Sequence, residues 1–516
     1  MSLLALLLPA ETPVEDYPFV PSDVALYHRT LGRAGALDEQ TWDDMLLQPY
    51  SARLAHQTSI FGQQELHRRL HADSDAGAVA TSAVRVRALA SDDGQRRLLH
   101  KTFDSVRRAD REISEHLFGE AGIAQAKPRW TPLLRWLPVA FLLSPVLALA
   151  VGWLPLWGVV VALWLLLMAV QMRFRDEAEE WFRINRSVQM LLRAHSLLAK
   201  LEAPLAAPFR PDAARAGKIN RAIGQSLTRN LPGMREYADW LWQMNIRDYF
   251  DSREVVRLNV EFLRHSFRMV AALEADVALA RHLAETPHHC WTEQGPQVGL
   301  TQVVHPLLAD AAPLTFALER QGAFISGQNG IGKSTLLRSV GLNLIVARAF
   351  GFCYADSAVT PGLPVYSSMQ SEDALDGGES LYIAELRRAH ELLALGERAP
   401  AIFIIDEIFR GTNHLESISA ATAVLHTLSA SGTVIVSSHN LVLAPLLADC
   451  LAPLCVSSVD GRLQLAPGVL KDTNGIALLA KRGFDDAISA KANRVYDWLS
   501  DYMAHPADCE GLRNSL

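Results

Sequence analysis

Apolar and polar positions divide this chain into three regimes. Residues about 15–120 are polar and helical in pattern, with stretches such as RVRALASDDGQRRLLHKTFDSVRRADREI. Their charges alternate in sign, which reads as a solvated helical face rather than a nucleic-acid patch. From Trp136 to Met172 no charged residue occurs across 37 positions. Residues about 174–290 are helical again, with breaks near Leu205–Pro211 and at Leu231-Pro232-Gly233. From about residue 300 short β-rich runs alternate with amphipathic helices, the signature of a wound α/β domain. No internal repeat or low-complexity segment stands out.

The uncharged run is too long for one span. As a single helix it would extend about 55 Å, against a hydrocarbon core of about 30 Å. Gly152-Trp153-Leu154-Pro155 in its middle predicts a turn between two short helices, about 136–152 and 156–172. Trp136, Trp153, Trp157 and Trp164 are aromatic anchors of the kind found at membrane interfaces. Arg129 and Arg135 precede the run, and Arg173 and Arg175 follow it. Basic flanks on both sides favour two ends on the cytoplasmic face. The expectation is a transmembrane hairpin over 129–175, inserted between helical segments 1–128 and 176–298. Its setting is the inner (cytoplasmic) membrane, with both large domains cytoplasmic. The competing reading is a buried helical hairpin in a soluble core. The N-terminal MSLLALLLPAE lacks a basic n-region and is read as an ordinary segment.

Composition adds little constraint. A chain of 516 residues has room for two to four domains, and its net charge of −7 gives no global reason to expect nucleic acid. The five cysteines are scattered with no CxxC pair, which suits a reducing compartment.

The chemistry concentrates between about 322 and 440. Ala323–Ser326 reads as a buried strand, and Gly327-Gln328-Asn329-Gly330-Ile331-Gly332-Lys333-Ser334 fits GxxxxGK[ST]. A helix is predicted from Thr335 to about Phe350. This strand–loop–helix setting lets backbone N–H groups converge on phosphate oxygens at a helix N-terminus. Lys333 is placed to reach β- and γ-phosphates, and the Ser334 hydroxyl to ligate Mg²⁺.

A second apolar run, Ala401-Ile402-Phe403-Ile404-Ile405, ends in Asp406-Glu407 and predicts a strand buried on both faces. Asp406 is placed to hold the metal. Glu407 is placed to polarise an attacking water, or else to cap the next helix. A third strand, Thr433–Ser438, ends at His439, either a surface or packing residue or, beside the other two motifs, a candidate γ-phosphate sensor. Ser380, after Gly377-Gly378 and before an amphipathic helix, is either a simple N-cap or part of an anion site.

In order and spelling these strings resemble the ATPase domain of the MutS family, within the wider ABC class. GQNGIGKST resembles GPNMGGKST, and DEIFRGTN at 406–413 resembles DEIGRGTS. SSHN at 437–440 resembles ATHY, and ESLYIAEL at 379–386 resembles RSTFMVEM. His305-Pro306 resembles the family's HP pair, and 474–492 its closing helical segment. Weaker resemblance links 56–70 and 271–285 to the two pieces of the family's helical core.

The resemblance implies an α/β P-loop ATPase domain over 299–516, with a mostly parallel sheet, preceded by an α-helical core that contains the hairpin. Lys333, Ser334 and Asp406 would hold Mg·ATP, with Asn329 ordering the loop. Glu407 would be the base, and His439 would sense the γ-phosphate. Ser380 would act in trans across a homodimer. No mismatch-reading domain, Phe-x-Glu wedge or DNA clamp is evident. DNA therefore stands as one partner class beside an unknown protein or membrane-proximal load.

Overall fold

The computed structural model describes residues 17–32, 37–73, 75–119, 126–224, 234–309, 311–318, 322–369, 381–459, 462–470 and 486–503. The chain is mostly helical with mixed sheets, and it divides into two compact units. One comprises Met1–Arg33, Leu54–Arg68 and Arg85–Ala284; the other comprises Ala34–Arg53, Arg69–Val84 and Glu285–Leu516.

The first unit is built on long helices. Leu137–Val151 ends on Gly152, whose φ of 67° closes the helix in the left-handed region, a conformation open to glycine at little cost. After a short turn, Leu156–Leu198 runs 43 residues without a break, about 65 Å of helix. Its two halves behave differently. From Ala178 onward, buried positions recur at Trp181, Ile184, Asn185, Val188, Leu191, Leu192 and His195, the spacing of one helical stripe. Before that, Leu167 and Gln171 are its only buried residues, while Val161, Trp164, Leu165 and Leu166 are about half exposed. Among the described residues this helix alone is long and apolar enough to cross a membrane.

Val260–Glu285 supplies the unit's central polar group. Glu274 is 3% exposed and accepts bonds from the Ser59 backbone N–H at 2.8 Å and the Ser59 hydroxyl. Gly62 contributes a further backbone N–H. A β-carbon on Gly62 would lie 3.0 Å from the Glu274 carboxyl carbon, so the close approach requires glycine there. Burial outweighs these donors and pushes the Glu274 carboxyl up to about 7.

The second unit holds a six-stranded sheet. Its strands are β1 (Ala323–Gly327), β2 (Val365–Ser368), β3 (Ala401–Asp406), β4 (Gly432–Ser437), β5 (Ala452–Val459) and β6 (Arg462–Pro467). They lie in the order β6-β5-β1-β4-β3-β2. All neighbours are parallel except the β5–β6 pair.

Helix α2 (Lys333–Phe350) covers one face of this sheet, while α3 (Leu381–Arg398) and α4 (His414–Ser431) cover the other. The Phe403 and Ile405 side chains join the α3–α4 core through Leu392, Leu425 and Leu428. Ile404 points oppositely, so that a β-carbon on Gly341 of α2 would lie 2.8 Å from its Cδ1. Covering both faces explains the uninterrupted apolar spelling of β3.

The edge strand β2 is held by a segment from far upstream, α1 (Glu39–Asp44). Thr41 Oγ1 accepts from the Ser367 N–H at 2.8 Å. Asp44 accepts from the Ser367 hydroxyl at 2.7 Å and from the Met369 N–H at 2.9 Å. Arg388 of α3 reaches the Ser367 carbonyl and, at 2.8 Å, Asp38. These bonds satisfy edge groups that otherwise invite pairing with another chain. A separate four-stranded sheet joins Glu293–Gln294, Ser357–Thr360, Gly299–Val303 and Leu314–Ala317.

Beyond β3 the backbone twists through two left-handed residues, Glu407 at φ 58° and Phe409 at φ 55°. Phe409 is fully buried and meets the Tyr382 ring edge-on at 6.0 Å. Packing therefore holds a bulky side chain where the backbone favours glycine.

Two stability predictions follow from these placements. Between the free carboxyl value and about 7, native Glu274 keeps a proton that the unfolded chain releases. Its contribution is then complete at low pH and is lost as pH rises through 7, by up to about 1.4 kcal/mol per pH unit. Thermal unfolding of Glu274→Gln measured from pH 5 to 8 should gain on wild type as pH rises to about 7 and level off above it; parallel curves throughout would refute the burial argument. At position 409, Phe409→Gly should be more stable than Phe409→Ala, by about 1 kcal/mol in chemical denaturation. Both should fall below wild type through the lost core ring.

Candidate functional site

Three strands of the parallel sheet end side by side. Ser437 of β4 pairs with Ile325 of β1 on one side and with Asp406 of β3 on the other. Strand spacing of about 4.8 Å puts the exits of β1 and β3 about 10 Å apart, flanking β4. In open α/β sheets this carboxyl edge is where ligands bind.

Beyond β1 the chain enters the loop Gln328–Gly332. Gly330 and Gly332 have φ of 75° and 106°, values that only glycine adopts without strain. A β-carbon on Gly327 would lie 3.0 Å from the Val456 carbonyl oxygen. Ile331 N–H closes the turn onto the Gln328 carbonyl at 3.3 Å.

Helix α2 starts at Lys333, two residues earlier than the sequence suggested, and no side chain caps it. The first-turn N–H groups of Lys333, Ser334 and Thr335 thus lack intrahelical acceptors, and the helix's positive end faces the loop. The Lys333 ammonium is buried and donates to the carbonyls of Gly327 at 3.0 Å and Gln328 at 3.3 Å. Burial lowers its pKa, while the charges of Glu407 and Asp406 pull it back up. Lysine and acidic pair therefore share one electrostatic neighbourhood.

Asp406 accepts from the Ser437 hydroxyl. The Glu407 N–H donates to the Ser437 carbonyl at 2.9 Å, which anchors this left-handed residue to β4. One Glu407 carboxylate oxygen lies 2.8 Å from His439 Nε2, and the other lies 2.8 Å from Arg410 Nη1. The His439 hydrogen bond is the main cause of a depressed Glu407 pKa; Arg410 and Lys333 add to it, against burial. His439 is about half exposed, whereas Glu407 is largely enclosed.

Beside the loop lies an apolar cavity of about 240 Å³, bounded by His305, Leu308, Leu314, Gly332, Thr335 and Leu463 among others. His305 is buried, and burial lowers its pKa. Its Nδ1 accepts from the Leu307 N–H at 3.3 Å, while Nε2 has no partner among the described residues.

The arrangement suits a polyphosphate and a hard cation. An uncapped helix end with two left-handed glycines offers converging N–H donors. A serine hydroxyl and an aspartate carboxylate, as at Ser334 and Asp406, are oxygen donors of the kind that Mg²⁺ takes alongside phosphate oxygens. Among the described residues no group of three or more His, Cys, Asp or Glu forms a metal cluster, so phosphate and water oxygens would complete such a shell.

Gly327–Thr335, Asp406, Glu407 and His439 are thus gathered at one edge, while Ser380 lies outside the described residues. The roles of Ser437 and Arg410 were not anticipated, although both stand inside the motif strings SSHN and DEIFRGTN. Spelling alone does not say which motif residues touch each other.

Residues 323–495 match the family model described as MutS domain V. The chain is 26% identical over 258 residues to a protein named DNA mismatch repair protein MutS from Thermus aquaticus, covering 48% of this chain and 32% of that protein. It is 26% identical over 272 residues to the protein of the same name from Salinibacter ruber, covering 47% and 29%. A protein named Endonuclease MutS2 from Thermus thermophilus is 31% identical over 163 residues, covering 31% of this chain and 21% of its own. The matches span about a third of these relatives' length or less. The likeness to the MutS family thus rests on residues 323–495, which match its domain V.

Proposed function

We propose that this chain is a membrane-anchored ATPase that binds and hydrolyses Mg·ATP at a P-loop and uses the cycle to rearrange a dimer and its helical arms. The observation that carries this reading is the gathering of an uncapped glycine-loop helix end, Lys333 and the Asp406–Glu407 pair at the end of β4.

Loop N–H groups and Lys333 hold the phosphates; Ser334 and Asp406 hold Mg²⁺, which supplies charge neutralisation when bound. Glu407, kept ionised by His439, Arg410 and Lys333, orients and deprotonates the attacking water. His439 bridges that base and the γ-phosphate. The cavity at His305 takes the nucleobase. Ser380 completes the partner subunit's site, so nucleotide binding closes the dimer.

The anchor is the hairpin Leu137–Val151 and Leu156–Met172. Only 11% of the apolar window in its second helix is buried, and so wide an exposed apolar surface calls for lipid or another apolar partner. A DNA load is the second reading, because the relatives' names include DNA mismatch repair. Against it, Arg85, Arg96, Arg97 and Arg107 of the basic N-terminal stretch each pair with an aspartate.

Nucleotide binding and phosphate release test the site. Lys333→Ala should abolish Mg·ATP binding. Glu407→Gln should retain binding and lose about a hundredfold or more in kcat; equal rates would remove Glu407 from the chemistry. Fractionation tests the anchor: the full chain should stay with membranes through high salt, and deletion of 137–172 should release it. A salt-sensitive shift with duplex or branched DNA would favour the second reading.

A further inference from the structure

The loop after the acidic pair is bound to the first turns of α3 by three separate contacts. The Arg410 N–H donates to a Glu385 carboxylate oxygen at 2.9 Å, and the Arg410 guanidinium Nε lies 3.9 Å from the other. The Phe409 ring meets Tyr382. Gly411 packs so closely that a β-carbon there would sit 2.7 Å from the Tyr382 nitrogen. The same Arg410 guanidinium reaches Glu407 at 2.8 Å. Arg410 therefore stands between two carboxylates, one at the head of the site and one on α3, each with only 14–16% of its side chain exposed.

We propose that Arg410 is a positioning residue that fixes the plane of the Glu407 carboxylate, and that Glu385 ties this setting to the N-terminal turns of α3. The inference rests on reading Glu407 as the base of an ATPase. A carboxylate held by His439 on one oxygen and Arg410 on the other cannot rotate without breaking a charge-assisted bond, yet each oxygen keeps a lone pair for water.

Glu385 gives the arrangement its direction. Burial raises its pKa, while the Arg410 and Gly411 N–H groups and the Arg410 charge lower it. Without Arg410 it would be a largely enclosed acid close to Glu407, a like-charge pair. Arg410 is the counter-ion both acids share, so a change at either is felt at the other.

The test uses the full chain in membranes or detergent, with Mg·ATP binding and steady-state phosphate release measured for wild type, Arg410→Ala, Arg410→Lys, Glu385→Gln and the Arg410→Ala/Glu385→Gln double variant. Arg410→Ala should lower kcat about tenfold or more, with nucleotide affinity and KM within about twofold. Arg410→Lys should recover part of the loss. Glu385→Gln should lower kcat by itself but add nothing to Arg410→Ala, because it acts through that residue. A wild-type kcat in Arg410→Ala, or losses that multiply in the double variant, overturns the coupling. Should Arg410→Ala fail to fold, a wild-type kcat in both Arg410→Lys and Glu385→Gln overturns it equally. Wild type that binds and hydrolyses no Mg·ATP overturns the ATPase reading itself, a separate result.

Discussion

Everything at the site depends on β4 lying parallel between β1 and β3 in a register that sets Ser437 beside Ile325 and Asp406. The glycine loop and the acidic pair are about 80 residues apart in sequence and cannot find each other locally. One central strand brings them to the same edge, and Ser437 then bonds both acids, accepting from the Glu407 N–H and donating to Asp406. A one-residue slip would exchange the faces of Val434 and Ile435 and part Ser437 from Asp406 and from the Glu407 N–H. Both faces are apolar and covered, so these polar contacts at the strand end help to single out the register.

What could be read in advance was what short-range physics dictates. The AIFIID run had to be a doubly covered strand, and GQNGIGKS had to be a turn feeding a helix, because few other structures tolerate those glycines and that apolar density. Helix α2 nevertheless starts at Lys333 rather than Thr335; a boundary depends on cap geometry more than on pattern. The partner of a helix was less legible. Residues 39–44 look like any amphipathic turn, yet Thr41 and Asp44 satisfy the β2 edge more than 320 positions away. Periodicity says that a face is buried, not what buries it.

The left-handed pair at Glu407 and Phe409 was invisible for another reason. Neither residue type announces positive φ, and the resemblance to DEIGRGTS set glycine against Phe409 without saying what the change costs. The structure answers with Tyr382: the ring gained at 409 packs on α3, so lost backbone ease is offset by a contact the glycine could not make. A loop that could have been a free hinge is instead fastened to a helix, and this is the loop from which Arg410 reaches Glu407.

The helical unit shows the same trade between local ease and long-range constraint. Leu156–Leu198 is one rod whose first part has an exposed apolar surface and whose last part is a buried stripe. A break after Met172 would let the apolar part move independently. Without one, any force on it passes to Trp181, whose indole N–H bonds the Ser252 hydroxyl at 2.9 Å, and to His195, bonded to Ser266 at 2.9 Å. Ser266 and Glu274 lie on the same helix, Val260–Glu285. Under the proposed membrane reading, a helix fixed in lipid at one end would be hydrogen-bonded at the other to Val260–Glu285. Continuity of that rod, rather than hydrophobicity alone, would then suit it to bear a load.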